Sequence, residues 1–159
     1  MTRRLLGGLA LAACAVVPMH VAAAQLGPQP ELRLDVLGAS PCRVEMGAGV
    51  NLGAGNYQRV ELDAAAGAFR RTGALVGSGR VDALMRLLLD PFGQRRWALS
   101  LAGGVSARYD AGDRVRPYLV GMLDLEGPPS HGVRVAYQVG FGGGVRLGVV
   151  LRRSRTVWR

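Results

Sequence analysis

Between Val133 and Leu147 the chain alternates. Val133, Val135, Tyr137, Val139, Phe141, Val145 and Leu147 share one parity, while Arg134, Ala136, Gln138, Gly140, Gly142, Gly144 and Arg146 share the other. A period of two sends successive side chains to opposite faces of a strand, so the run predicts one strand with an apolar face and a small or polar face. It is long enough to cross a bilayer as β-structure, which takes roughly nine to eleven tilted residues.

The same alternation recurs between breaks rich in Gly, Pro, Asp and Asn. It predicts strands over 31–37, 43–52, 57–69, 80–89, 97–109 and 116–125, then 133–147, and an eighth over 149–158 after a turn at Leu147-Gly148. Turns are expected at Gly53–Asn56, Asp90–Gly93 and Asp110–Asp113, with looser loops at Thr72–Gly79 and Glu126–Ser130. The segment Arg80–Leu89 also carries good helix formers, but strand neighbours on both sides favour a strand. Eight strands with short connections predict an all-β fold, an eight-stranded antiparallel up-and-down (meander) β-barrel, because closure removes the two exposed edges. Eight is also the count at which side chains just fill the interior.

The segment before the first strand reads as an address. A basic start at Met1–Arg4, an apolar stretch at Leu5–Val17 and Ala22-Ala23-Ala24 before Gln25 form the pattern of a secretory signal peptide over 1–24, leaving 25–159 as one barrel domain. Leu11-Ala12-Ala13-Cys14 offers a competing reading as a lipid-attachment site on Cys14. Past this point Cys42 is the one cysteine, so no disulfide within the domain is expected. It reads either as a small apolar residue at a strand start or as a reactive thiol.

Charge placement follows the same parity. With the apolar face outward, the inward or strand-end set holds Arg33, Arg43, Arg59, Arg80, Arg86, Arg108, Arg134 and Arg146 against Glu31, Asp35, Glu45, Glu61, Asp63, Asp82, Asp90 and Asp124. The expected lumen network is Arg33, Asp35, Glu45, Arg59, Glu61, Asp63, Arg80, Asp82, Arg86, Asp124, Arg134 and Arg146. An arginine facing lipid at mid-membrane costs roughly 2–4 kcal/mol, which a paired one inside avoids. Other arginines fall at loops and ends, and Arg70, Arg71, Arg95, Arg96, Arg152, Arg153 and Arg155 are the candidate rim for lipid phosphates. Solubility at the interface is the plainer reading of that rim. Tyr57, Phe69, Phe92, Trp97, Tyr109, Tyr118 and Trp158 lie near strand ends, as in an aromatic girdle.

Catalytic and ligand chemistry finds little footing. Gly140–Gly144 and Gly53–Gly55 lack the following helix N-terminus that a phosphate loop needs. His131 follows Ser130 directly in a proline-rich loop, an adjacency that makes no relay. Glu61 and Asp63 share one strand face, where arginine pairing accounts for them without acid–base work. No catalytic residue, metal site or cofactor is expected, and no interleaved basic and aromatic surface suggests nucleic acid.

The signal peptide, Arg116-Pro117-Tyr118-Leu119-Val120-Gly121 opening a late strand, and Gly140–Leu147 as a penultimate strand resemble the small bacterial outer-membrane β-barrels of the opacity-protein type. That resemblance implies an eight-stranded barrel in the outer membrane with structural or adhesive roles. Such barrels usually end on an aromatic residue, whereas Trp158 is followed here by Arg159. The expectation is a non-enzymatic integral outer-membrane barrel, structural or interaction-related, with a charge-filled lumen and membrane lipids as partners. The alternative is a secreted, periplasmic or lipid-anchored soluble barrel binding an apolar ligand, in which Val44, Leu62, Val135 and Val139 would turn inward.

Overall fold

In the structure, a computed structural model, the described residues are 27–55, 57–89 and 97–153. Eight strands follow one another: β1 (Gln29–Gly38), β2 (Arg43–Gly53), β3 (Gln58–Arg71), β4 (Ala74–Leu88), β5 (Ala98–Asp110), β6 (Arg116–Glu126), β7 (Val133–Phe141) and β8 (Val145–Arg153). Each pairs antiparallel with its sequence neighbour, and β8 pairs back onto β1, closing a meander barrel. Arg80–Leu88, ambiguous by composition, lies within β4, where ladders to β3 and β5 on both sides outweigh its helix propensity. The chain enters and leaves at one rim, here the terminal rim; the turns β1–β2, β3–β4, β5–β6 and β7–β8 form the far rim.

Alternation decides which way each strand faces. Val44, Leu62, Val135 and Val139 are exposed on the outside, while Arg59, Glu45 and Glu61 are buried within. The barrel is therefore apolar outside and charged inside, and an apolar interior is not the arrangement adopted. Among the described residues, the compact apolar cluster inside is small, Leu84, Ala102, Val120 and Met122.

The run from Val133 to Leu147 is not one strand. It is a hairpin, with Phe141 paired to Val145 across Gly142-Gly143-Gly144. Gly143 at φ +71° and Gly144 at φ +144° adopt conformations that side chains resist, which is why the turn falls there. β8 accordingly starts four residues before the predicted Val149. The expected loop Thr72–Gly79 is likewise replaced by a tight turn at Thr72-Gly73, with β4 starting at Ala74. The signal-peptide reading of 1–24 with Cys14, the turn 90–93, and Asn56, Arg95, Arg96, Arg155, Trp158 and Arg159 lie outside the described residues.

Inside, small residues leave room for long ones. A Cβ on Gly148 would strike the Asp35 carboxylate, and one on Gly67 would meet Glu45 Cγ at 2.8 Å. The outward-parity Gly143 discriminates between hairpin and continuous strand. In the hairpin, Gly143→Ala forces a left-handed residue against the Tyr118 ring and should cost about 1–2 kcal/mol. In a continuous strand the same change would be neutral or slightly stabilising. The urea midpoint of the folded barrel reads the sign.

Candidate functional site

The barrel interior is an ionic lattice built by all eight strands. Period-two alternation puts Glu31, Arg33 and Asp35 of β1 on the inner face, and the same rule delivers Glu45, Glu61, Asp63, Arg80, Asp82, Arg86, Asp124 and Arg146 from their strands. At mid-height Arg33 contacts Asp63, binds Asp35 at 2.9 Å and Glu61 at 3.1 Å, and donates to Gln138 Oε1 at 2.6 Å. Above it, Arg80 binds Asp35 at 2.5 Å, Glu45 at 2.6 Å and Asp82 at 3.0 Å. Arg146 reaches Asp82 at 2.6 Å from the opposite wall, since β8 and β4 stand half a turn apart. Below, Arg86 contacts Glu61, binds Asp124 at 2.8 Å and donates to Ser100 Oγ at 3.0 Å.

These contacts run across the lumen as well as around it. A guanidinium with five N–H donors in a rigid fork can serve three carboxylates at once, which an ammonium on a flexible stem does less well. Pairing is also what makes burial tolerable, because an isolated charge in a low-dielectric interior is expensive.

Most residues expected in the network are there, but their positions differ in weight. Arg134 sits at the terminal rim, pairing with Glu126 at 2.9 Å with side chains 13% and 10% exposed. Arg59, at the same rim, donates to Gln29 Oε1 at 3.0 Å. Arg152, expected on the rim, is buried in the lattice instead. It binds Glu31 at 2.9 Å, Asp124 at 2.9 Å and Glu126 at 3.1 Å. Arg152 is a strand residue of the same parity as Arg146, and that parity turns it inward although it lies near the basic end of the chain. Glu126, read as a loop residue, ends β6 facing inward. Of the expected rim, Arg70, Arg71 and Arg153 are exposed.

Two expected girdle aromatics also turn inward. Phe69 lies under the Arg43 guanidinium at 4.6 Å, and Tyr118 under that of Arg108 at 4.9 Å, so both close the far mouth of the lumen. There Arg43 pairs with Asp110 at 2.5 Å, and Arg108 donates to Gly142 O at 2.7 Å, holding down the β7–β8 turn. Outward aromatics are Tyr57, Trp97 and Tyr109, joined by Tyr137, which stacks on Trp97, and Phe141. Asn51, Ser100 and Gln138, polar links in the lattice, fall on the polar parity of their strands but were not among the residues expected in the network.

Glu31, Glu61 and Asp63 bring carboxylate oxygens close enough to share a cation. That cation is already supplied: Arg33 Nη1 lies 3.7 Å from Glu31, 3.1 Å from Glu61 and in contact with Asp63. The cluster therefore works as a guanidinium cradle. Cys42 is exposed in the β1–β2 turn.

Neither a protein-family model nor a curated protein matches the chain. Gly140–Leu147, expected as a penultimate strand, forms a hairpin.

The lattice ranks its members by depth. Arg33→Met removes the shared partner of four carboxylates and should cost about 3–5 kcal/mol. Arg134→Leu should cost clearly less, because its partner Glu126 keeps Arg152 and both groups reach solvent. Equal losses in urea unfolding would refute the ranking.

Proposed function

We propose that this chain is a non-enzymatic, integral β-barrel of the bacterial outer membrane with a structural or interaction role, its lumen plugged by paired charges. The observation that carries the reading is the composition of the outer face. Among the described residues, Gln58, Arg70 and Arg153, all at strand ends, are the only polar or charged side chains that the strands turn outward. Leu32, Met46, Leu101, Leu119, Leu123 and Phe141 are between 41% and 77% exposed, on a continuous surface wrapping all eight strands. Such a belt is far larger than the apolar patches that soluble proteins tolerate. Strands of nine to fifteen residues, tilted as closed barrels require, match the thickness of a bilayer core.

The interior argues for a plug. Its arginines and carboxylates are engaged with one another from wall to wall, which suits a filled stave structure better than an open channel or a reaction centre. Connections between described strands are short on the far rim, which suits a compact scaffold more than a long-looped adhesin.

Fractionation tests the location. The protein should stay with outer membranes through a carbonate wash and migrate differently on gels with and without boiling; release into the soluble fraction would end the proposal. A second check uses Leu123→Arg, an outward mid-strand position. In lipid vesicles it should destabilise the barrel by about 2–4 kcal/mol. A soluble barrel would gain or lose little, since the residue would face water.

A further inference from the structure

The far rim carries a basic surface that the lumen lattice does not use. Two neighbouring hairpins build it. The β3–β4 hairpin extends past its neighbours: Arg70 and Arg71 lie beyond Phe69, the last β3 residue in register with the start of β2, and Ala74–Gly77 lie beyond the β4–β5 ladder. The β5–β6 turn stands beside it, tied by a hydrogen bond from Ala111 N to Gly77 O at 2.9 Å. Arg70 and Arg71 on the first hairpin and Arg114 and Arg116 on the second are all exposed.

Carboxylates here are few. Asp110 is taken by Arg43, and Asp113 serves both Arg116, at 2.6 Å, and the backbone N–H of Arg114, at 2.9 Å. The surface is therefore positive, with no further carboxylate on these two turns. Its height matters as much as its sign. Arg70 is the cross-strand partner of Leu75, which is 76% exposed, and Arg116 precedes Pro117 and the 77%-exposed Leu119 on the outer face of β6. The guanidiniums thus stand at the upper edge of the apolar belt, at the level where lipid headgroups begin.

We propose that this four-arginine surface binds the phosphate groups of anionic lipids in the leaflet at the far rim. The inference rests on the membrane reading and adds a partner to it. Guanidinium offers a paired, fork-shaped contact to phosphate oxygens, and exposed arginines beside leucine let the stems lie on acyl chains while the heads reach the phosphates. The contact would orient the barrel in the bilayer and select the lipids around that rim.

The test compares the full chain with a variant carrying Arg70→Gln, Arg71→Gln, Arg114→Gln and Arg116→Gln, none of which belongs to the lumen lattice. Both are refolded into zwitterionic vesicles, into the same vesicles doped with phosphatidate, and into zwitterionic vesicles with inorganic phosphate in the buffer. Heat-modifiable gel mobility reports the folded fraction across a urea series. Phosphatidate should raise the folded-to-unfolded ratio of the wild type by about tenfold or more, and the gain should vanish in the variant while the two match in zwitterionic lipid. An equal gain in both proteins overturns the proposal. So does an equal gain from inorganic phosphate, which would make the site one for free anions. If the wild type acquires no heat-modifiable form in any vesicle, the membrane reading itself fails, and this proposal falls with it.

Discussion

The structure depends on one constraint: a charge removed from water must meet its counter-charge. The inner faces of the eight strands present buried arginines and carboxylates in close to equal number, and the central guanidiniums of Arg33, Arg80 and Arg152 solve the problem by reaching several carboxylates each. Because Arg146 on β8 reaches Asp82 on β4, and Arg80 on β4 reaches Asp35 on β1, the solution holds only when the barrel is closed and every strand is in place. An open sheet would leave these partners on distant edges. The ion pairs need not add net stability over an apolar filling, since desolvation offsets much of their attraction. What they add is dependence of each strand on the register of strands it does not touch.

That dependence follows from the period of two. A one-residue slip of β1 against β2 would carry Glu31, Arg33 and Asp35 to the outside and Leu32, Leu34 and Val36 to the inside. The carboxylates and guanidiniums left behind would lose partners on three other strands. The outer belt and the inner lattice are thus two consequences of one pattern.

The pattern was also what made the fold legible in the sequence. Parity sorted most strand residues into an apolar and a polar set, and the expected barrel of eight antiparallel strands is the one formed. Which set turns inward was left open, and the burial of Glu45 and Glu61 decides it. The pattern's blind spot was the hairpin of β7 and β8. Residues paired as Phe141 is to Val145 have the same parity, so alternation passes through the turn unbroken, and only the three consecutive glycines at 142–144 marked the reversal. Arg152 was placed on the rim although it lay within the expected eighth strand, because it was grouped with the arginines at the end of the chain. Phe69 and Tyr118 were misplaced for a different reason, because nearness to a strand end was weighed above parity. The cross-lumen partners were beyond reach altogether: nothing in local spacing tells Arg146 that Asp82, sixty-four residues earlier, stands across the barrel.

A charged interior also bears on the chain before it folds. A barrel with an apolar outside and an apolar filling would need strands that are apolar on both faces, continuous runs of nine or more residues of the kind that pair edge to edge and aggregate. Here Leu32 and Leu34 on β1, Val60 and Leu62 on β3, Val81 and Met85 on β4, and Val145 and Leu151 on β8 are each followed by a charge. The interruptions keep the unfolded strands soluble and disappear from view on closure, when the charges find one another. Arginine suits both stages, since it stays charged in water and remains so when buried. The inside-out arrangement is therefore a requirement of reaching a bilayer as a soluble chain as much as of resting in one, provided that the apolar belt does meet lipid.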